Sequence, residues 1–242
     1  MSPARMRVLV VVPAHNEEES LARTLAEVRA KAPDVSPVVV DDGSTDGTAE
    51  VARACGVPVL RLPFNLGVGA ALQTGFRYAL AKGFDVAVQL DADGQHDPAY
   101  LDAVLRPVLA GEADVSIGSR YVTGRSSYQA PLLRRLGMVF FSLIVRWAVG
   151  FRVADTTSGF RAYNRPVMAV GVRDFPKDFP DAPLLIALAR HGFRLVEVPV
   201  EMRAREAGQS FYTWTKSLYY PYKCLLASVM IMLRRRENEE AT

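Results

Sequence analysis

Four short, mostly apolar runs, each ending at a polar turn, most constrain how this chain can fold. They occupy residues 8–12, 38–40, 57–62 and 86–90. Runs of this kind are typical of strands covered on both faces, as in a parallel sheet. Between them apolar residues recur at helical spacing, as at Leu21, Leu25 and Val28, and a fifth run follows at residues 113–118. The alternation predicts an α/β fold in which helices flank a mostly parallel sheet.

Composition narrows the class of protein further. The chain has 242 residues, half of them hydrophobic, and is long enough for one large domain with a small appendage. Cys55 and Cys224 match no metal-binding spacing, which indicates buried thiols in a reducing cytosol. A net charge of +3 is too small to argue for a nucleic-acid partner. Arginines concentrate in the second half, as at residues 234–236, where we expect anionic partners.

The polar turn after the fourth run carries the densest group of acids. Residues 91–98 read DADGQHDP, and Asp91 and Asp93 are separated by one residue. Two carboxylates at this spacing can face one hard cation, and ligands bind open α/β sheets at the carboxyl ends of the strands. Taken alone the Asp-x-Asp pattern is weak, since acidic turns after strands are commonly only solvated.

Two other strand ends carry residues suited to a nucleotide. Asp41 and Asp42 follow the second run, where paired acids suit ribose hydroxyls or a base edge. Gly67 and Gly69 precede a helix predicted over residues 70–81 and allow a ligand to approach the backbone there. The third glycine of the dinucleotide fingerprint is missing, so we reject an NAD site of that kind.

Local signals also predict where elements begin and end. Asn16 followed by Glu19 resembles a capping box that opens the first helix. Residues 195–202 read as a hairpin-like pair of strands around Pro199.

Six motifs in order resemble one known family. They are PAHNEE (13–18), DDGSTDGT (41–48), NLGVGAA (65–71), DADGQHDP (91–98), GSRY (118–121) and TSGFRAYNR (157–165). Over about residues 7–205 the chain resembles the family 2 glycosyltransferases of GT-A fold, which is Rossmann-like. It is most similar to the dolichyl-phosphate mannose synthase-like branch, the polyprenyl-phosphate glycosyltransferases. The resemblance implies a nucleotide-sugar donor, Mg²⁺ or Mn²⁺, and inversion at the anomeric carbon, and it leaves the sugar open.

The resemblance assigns donor-binding roles to matching positions. The nucleobase pocket would be lined by Pro13, Ala14, His15 and Glu17, with Asp42 at the base or ribose and Gly69 leaving room beside them. Asp91, Asp93 and Gln95 would form the metal and diphosphate site, with Asp93 a catalytic residue. A cation there neutralises the nucleoside diphosphate as it leaves. His96 is expected to pack or to point to solvent.

The resemblance also assigns an acceptor side. Ser158 and Arg161 resemble the family's phosphate contacts, with Arg120, Arg134 and Arg135 as further clamps on anions. Arg120 is also a catalytic candidate. A phosphate monoester is already largely ionised near neutral pH, so a polyprenyl-phosphate acceptor needs no strong general base.

Asp181 leaves two interpretations open. It precedes an apolar helix and would then be an N-cap, whereas other family 2 enzymes place an acid here as the base for a hydroxyl acceptor. The alternative function is therefore transfer to a hydroxyl of a glycan or glycolipid. A non-catalytic nucleotide-sugar-binding partner is a third reading, against which the intact Asp91, Asp93 and Gln95 argue.

A basic segment follows at residues 203–210, RAREAGQS, and resembles the family's loop that closes on the diphosphate. Relatives commonly have Lys or Ser where this chain has Phe211, and Lys216 is a candidate substitute.

The C-terminal part is expected to form a helix outside the catalytic domain. We predict one GT-A domain over residues 1–212, with a donor half (1–118) and an acceptor half (119–212), followed by a helix and charged tail (213–242). Residues 218–233 are apolar and aromatic, contain Lys223, and are short for a membrane span. They predict an interfacial helix on the cytoplasmic face of the cell membrane, or a helix packed on the domain or in a homodimer.

Overall fold

The structure, a computed structural model, describes residues 6–122, 142, 146, 153–175, 181–203 and 214–233. Seven strands are β1 Val8–Ala14, β2 Ser36–Asp41, β3 Val59–Arg61, β4 Val86–Gln89, β5 Val115–Ser119, β6 Arg161–Asn164 and β7 Leu195–Pro199. The helices are α1 Leu21–Lys31, α2 Thr48–Ala54, α3 Val68–Ala81, α4 Leu101–Leu109, α5 Arg165–Asp174, α6 Ala182–Arg190 and α7 Trp214–Leu233, with a 3₁₀ turn at Pro98–Tyr100.

The seven strands form one sheet in the order β3-β2-β1-β4-β6-β5-β7. Strand β6 runs antiparallel to both β4 and β5, and the other described neighbours are parallel. The predicted α/β fold with a mostly parallel sheet is thereby confirmed. Because Ala14 lies opposite Asp41 and Val11 opposite Gln89, the turns after β1, β2 and β4 meet at one edge of the sheet.

Both faces of the sheet are covered, as the unbroken apolar runs predict. Leu9 and Val11 of β1 pack into the cluster under α3, α5 and α6, whereas Val10 and Val12 face the cluster under α1 and α4. Successive side chains of a strand point to opposite faces, so a strand between two helical layers must be apolar at every position. Full burial of each such side chain contributes about 1.5–3 kcal/mol.

Two local predictions are wrong. Residues 195–202 form one strand rather than a hairpin: β7 pairs in parallel with β5, and Pro199 ends it opposite Ser119. Proline is tolerated on such an edge strand because no ladder donor is needed on its open side. Beyond it the chain continues to Met202, which forms an isolated antiparallel bridge with His96 of the acidic turn.

The capping box is the second wrong prediction. Helix α1 begins at Leu21 with Ser20 in the N-cap position. Asn16 instead adopts a left-handed backbone, with φ of 55°, which asparagine tolerates better than most residues. Its side-chain oxygen accepts a hydrogen bond from the amide of Thr45 at 2.8 Å, so it joins two loops.

Candidate active site

The loops after β1 and β2 are bonded into one unit. The Glu17 amide donates to the Thr48 hydroxyl at 2.9 Å, and Glu18 Oε2 accepts from the Gly47 amide at 2.7 Å. Glu17 itself is buried, and its carboxylate accepts a 2.6 Å hydrogen bond from Ser20 at the start of α1. Glu17 therefore joins the loop after β1 to α1 and to the loop after β2.

Asp42 clamps the glycine-containing loop before α3. Its two carboxylate oxygens accept from the amides of Leu66 at 2.7 Å and Gly67 at 2.8 Å. His15 Nδ1 lies 2.8 Å from the Asp42 carbonyl and must carry the proton in this contact, because a carbonyl only accepts. The three loops thus meet around Asp42, with Pro13 and Ala14 at the end of β1 and Gly69 buried in the first turn of α3.

Gly43 lets these loops approach closely. Its φ is 66°, and a Cβ there would lie 2.4 Å from the Phe64 carbonyl carbon. Any side chain at this position would push the two backbones apart.

The acidic turn after β4 is held by short-range hydrogen bonds. Asp91 Oδ1 accepts from Gln89 Nε2 at 2.9 Å, and Asp93 Oδ1 accepts from the Gln95 amide at 3.0 Å. Asp91 keeps about a third of its side chain exposed, 35%. The turn therefore presents carboxylate oxygen at the edge of the sheet where the other loops converge.

His96 positions Asp91, a role that the sequence did not reveal. The side chain is buried and stacks on Phe160 with ring centroids 5.0 Å apart. Of the two predicted alternatives, packing or pointing to solvent, His96 therefore packs. The Nδ1 atom of His96 accepts a hydrogen bond from the Asp91 backbone amide at 3.0 Å. The proton of the neutral ring must therefore be on Nε2. That nitrogen lies 3.7 Å from Asp91 Oδ2.

The donor set of the turn fits a cation shared with a ligand. Two carboxylates and the Gln95 amide are hard oxygen donors at alternate positions of one turn. Within the described ranges, no group of three or more His, Cys, Asp or Glu side chains could hold a metal by itself. A cation bound here would take most of its remaining ligands from phosphate and water, as Mg²⁺ does in many phosphate sites.

Gly159 brings the Thr-Ser-Gly motif against the acidic turn. A Cβ at this position would lie 2.8 Å from Gln89 Nε2 and 3.0 Å from Asp91 Oδ2. The neighbouring Ser158 is buried, and its hydroxyl accepts from the Phe160 amide at 3.3 Å. The predicted acceptor motif and the predicted metal turn are therefore in direct contact.

Arg120 is paired inside the protein with an acid that sequence reasoning missed. Its Nε and Nη2 donate to the two oxygens of Asp155 at 2.7 and 2.8 Å, and Nη2 also donates to Thr157 at 2.9 Å. Burial raises the pKa of Asp155, but the hydrogen bonds and charge of Arg120 hold it below its usual value. Glu197 of β7 fixes the same segment by accepting from the amides of Ala154 and Asp155.

Arg161 also lies inside rather than at the surface. It is buried on β6, and its Nη2 donates to the Thr156 carbonyl at 2.9 Å. It therefore supports the loop that carries Ser158 from below. Arg134 and Arg135 lie outside the described residues.

Asp181 occupies the N-cap position of α6, yet in the described structure its carboxylate makes no capping hydrogen bond. The Asp181 charge affects the pKa of the buried Tyr163 phenol instead. Burial raises the pKa of Tyr163, and the negative charges of Asp91 and Asp181 raise it further against the opposing effect of Arg161. The described structure therefore does not support the interpretation of Asp181 as a simple side-chain cap.

Arg203 turns toward α1. Its guanidinium contacts Glu27 and Asp97. Although burial raises the pKa of Glu27, the hydrogen bond and charge of Arg203 lower it below its usual value. The rest of the predicted diphosphate loop, including Phe211, and the side chain of Lys216 lie outside the described residues.

The comparisons with known proteins identify the family. The model for "Glycosyl transferase family 2" matches residues 9–170. The chain belongs to glycosyltransferase family 2.

Relatives of this glycosyltransferase support the resemblance to its polyprenyl-phosphate branch. It is 38% identical to an undecaprenyl-phosphate mannosyltransferase of Micrococcus luteus, over 85% of this chain and 87% of the relative. It is 36% identical to a polyprenol monophosphomannose synthase of Mycolicibacterium smegmatis, over 84% and 80%. Both the family and the branch that it resembles were predicted correctly.

Solved structures confirm the GT-A fold. The chain resembles glucosyl-3-phosphoglycerate synthase of Mycobacterium tuberculosis in complex with Mn²⁺, UDP and phosphoglyceric acid. The TM-score is 0.74 at 22% identity, covering 97% of this chain and 81% of that one.

The C-terminal helix of this glycosyltransferase packs on α6 by one face. Cys224 and Ser228 of α7 are buried, and burial, with a smaller effect of the Asp181 charge, raises the pKa of the Cys224 thiol to about 12. In the part of the chain that the structure describes, we find no helix with the length and apolarity to cross a bilayer.

Proposed function

We propose that this glycosyltransferase transfers a hexose from a UDP- or GDP-linked sugar to a polyprenyl phosphate, with inversion. The observation that carries the proposal is the contact at Gly159 between the Asp91 turn and the Thr-Ser-Gly motif. That contact brings a cation-binding set of oxygens to the segment predicted to face the acceptor. The likeness to two mannosyltransferases that act on polyprenyl phosphates supports the same acceptor class.

In this proposal the donor half holds the nucleotide sugar. The loops joined by Asp42 form the nucleoside pocket, and Asp91, Asp93 and Gln95 would hold Mg²⁺ or Mn²⁺. The ion would neutralise the diphosphate when the sugar–phosphate bond breaks. His96 keeps the Asp91 carboxylate oriented, since it bonds the Asp91 backbone and stacks on Phe160.

The acceptor half presents an oxygen of a phosphate monoester. This oxygen is already ionised near neutral pH, so it can form the new bond to the anomeric carbon without losing a proton to the protein. Attack opposite the departing diphosphate inverts the configuration in one displacement. Ser158, Arg120, Arg134, Arg135 and Arg161 remain proposed acceptor-side residues, and the contacts of Arg120 and Arg161 support a role in shaping the loop.

We also propose that α7 lies on the cytoplasmic face of the cell membrane. Four large apolar side chains on this helix are exposed at i, i+3, i+4 and i+7 spacing: Leu226, Val229, Met230 and Leu233. The sequence continues with arginines at 234–236, and anionic headgroups attract each basic residue by about 1 kcal/mol near the surface. Residues 213–242 would thus form a peripheral anchor on a catalytic domain of residues 1–212.

Transfer assays test the function directly. We expect the purified full chain to transfer a hexose from a UDP- or GDP-sugar to polyprenyl phosphate in vesicles with Mg²⁺ or Mn²⁺, and to stop in excess EDTA. Transfer that persists in EDTA would remove the metal from the proposal. Donor binding without transfer to any acceptor would favour a non-catalytic nucleotide-sugar-binding partner.

Cosedimentation with anionic vesicles tests the membrane surface. We expect the full chain to bind at low salt and to bind less at high salt, because salt screens the arginine attraction. Replacing Leu226 and Met230 by Ser should abolish binding and leave donor binding unchanged. A protein that stays in the supernatant and runs as a dimer in light scattering would assign the apolar stripe to a homodimer.

A second candidate function is transfer to a hydroxyl acceptor, with Asp181 as the base. The observation that favours it is that Asp181 occupies the N-cap position of α6 without a side-chain capping hydrogen bond in the described structure.

A further inference from the structure

Arg203 connects three parts of the chain that are far apart in sequence. Its Nη1 donates to both carboxylate oxygens of Glu27 on α1, at 3.0 and 2.8 Å. Its Nη2 lies 2.8 Å from Asp97 Oδ2, and Asp97 follows the acidic turn. Its own segment is the exit from β7 toward residues 204–213.

The backbone of Arg203 also contacts the acidic turn. Its amide donates to the carbonyl of Gln95 at 2.9 Å, and the preceding Met202 pairs with His96. Gln95 is one of the three proposed oxygen donors for the cation, and His96 orients Asp91. Side chain and backbone of one residue therefore fix both ends of the Gln95–Asp97 segment.

Lys31 contacts the same two carboxylates. Its Nζ lies 2.7 Å from Asp97 Oδ1 and 3.4 Å from Glu27 Oε2. With Arg23, whose Nε lies 4.0 Å from Glu27 Oε1, three cationic side chains contact two carboxylates, and Asp97 Oδ1 also accepts a hydrogen bond from the Ala99 amide at 2.9 Å. Both oxygens of Asp97 are therefore engaged by cationic side chains, and the proposed cation site uses Asp91 and Asp93 instead.

We propose that Arg203 is a positioning residue for the cation and diphosphate site, acting through Asp97 and Gln95. The proposal rests on the proposed function, because it assumes that Asp91, Asp93 and Gln95 hold a cation with a nucleoside diphosphate. Arg203 holds the turn against α1 through Glu27 and Asp97. A change at Arg203 would therefore loosen the oxygens that hold the cation without touching any of them.

Calorimetric titration of Mn²⁺ into the full chain, with GDP and separately with UDP, tests this role. Outer partners of metal ligands typically affect metal affinity by 10–100-fold, and we expect Arg203→Met to weaken Mn²⁺ binding by about 10-fold. The Mn²⁺ affinity of Arg203→Lys should lie between those of Arg203→Met and wild type, because lysine keeps the charge but lacks the planar guanidinium that binds two acids at once. In transfer assays the Arg203→Met defect should appear as a higher Mn²⁺ requirement and a lower kcat.

The sign of the effect separates positioning from simple electrostatics. If Arg203 acted only as a nearby positive charge, its removal would strengthen cation binding. Tighter or unchanged Mn²⁺ binding by Arg203→Met would overturn the proposal. The matched control is Arg194→Met, which removes another bidentate ion pair, that of Arg194 with Asp114 at the opposite edge of the sheet. This variant should bind Mn²⁺ as wild type does.

Asp97→Asn provides an independent test, and it carries the proposal should Arg203→Met fail to fold. It keeps the acceptor for the Ala99 amide and removes the charge that Arg203 binds, so a several-fold weaker Mn²⁺ affinity is expected. The effects of Arg203→Met and Asp97→Asn on Mn²⁺ affinity should combine to less than their product in the double variant, because both changes break the Arg203–Asp97 contact. Fully multiplying effects would count against the proposal. Should wild type bind no nucleoside diphosphate with Mn²⁺, the proposed function fails as well, whereas normal wild-type binding with normal variants defeats this inference alone.

Discussion

Two charged segments meet at Gly159, and they use their charges in opposite ways. In the acidic turn, the Asp91 side chain keeps about a third of its surface exposed, 35%. In the segment from Asp155 to Arg161, the charged side chains are buried and bonded to Arg120 or to backbone carbonyls. The first segment can thus offer charge to a ligand, whereas the second uses charge to hold its own shape.

The physical reason lies in the cost of burying charge. A buried ion leaves water at a cost of several kcal/mol, which only close partners can offset. Asp155 has such a partner in Arg120, whose guanidinium and backbone amide both donate to the Asp155 carboxylate. The density of charged residues in a motif therefore does not indicate which of them remain for a substrate.

Asp155→Asn should have the largest effect, and on stability. The variant keeps the shape and leaves the Arg120 guanidinium, 11% exposed, without its counter-charge. Breaking a buried pair in this way costs about 3–5 kcal/mol, measured by urea unfolding at pH 7. Glu50→Gln, which breaks the exposed pair with Arg53, is the control and should cost at most about 1 kcal/mol.

The same variant should change the response to acid. The pKa of Asp155 is lowered in the folded protein, so its stabilisation is complete above the unfolded pKa of about 3.9 and is lost as pH falls through the folded pKa. Wild type should therefore lose more stability below about pH 4 than Asp155→Asn does. If the free energies of unfolding of the two proteins fall in parallel as pH is lowered, Asp155 does not contribute to acid unfolding.

Asp93→Ala tests the other segment, and its effect should fall on chemistry. Loss of a group that stabilises developing charge typically costs about 10²–10³ in kcat, and the urea midpoint should stay close to wild type. Asp91→Ala should weaken nucleoside-diphosphate binding for the same reason. Wild-type rates in both variants would make the acidic turn a structural one.

Gly159→Ala probes the contact between the two segments. The added methyl would lie 3.0 Å from Asp91 Oδ2, which forces the carboxylate or the loop to shift. We expect Mn²⁺-dependent donor binding to weaken by about tenfold, on the scale seen for residues that support metal ligands. Unchanged binding at unchanged stability would mean that the two segments tolerate independent movement.

The smallest effect is expected of Asp181→Asn. The variant keeps the shape and removes the basicity, and an ionised phosphate acceptor does not need a base, so the rate should change by only a few-fold. Loss of a general base typically costs about 10²–10⁴-fold. A loss near or above a thousandfold, with normal folding and donor binding, would favour the hydroxyl acceptor.

Sequence patterns predicted the features that depend on residues close together in the chain, such as strands and turns. The apolar runs identify β1, β2 and β4, and the spacing of Asp91, Asp93 and Gln95 places three oxygens on one turn. The antiparallel insertion of β6 had no such signal, because its pairing with β4 joins residues more than 70 positions apart.

The same limit explains why the internal partners of the polar site residues were not predicted. Asp42 bonds amides 24 and 25 positions away, and Arg120 bonds an acid 35 positions away. A resemblance can mark such residues as belonging to the site, but only the folded chain shows that their charges are used internally. Asp155 had one weak signal, its place two residues before Thr157.

The antiparallel strand β6 limits how this enzyme can close on its substrates. Strand β6 is hydrogen-bonded to β4, which precedes the acidic turn, and to β5, which ends at Ser119. A hinge that separates β4 from β5 would have to break this ladder in the middle of the sheet. Rearrangements during turnover must therefore be confined to segments that leave the sheet, and the backbone amides of β4 and β6 should exchange with deuterium as one slow, cooperative unit.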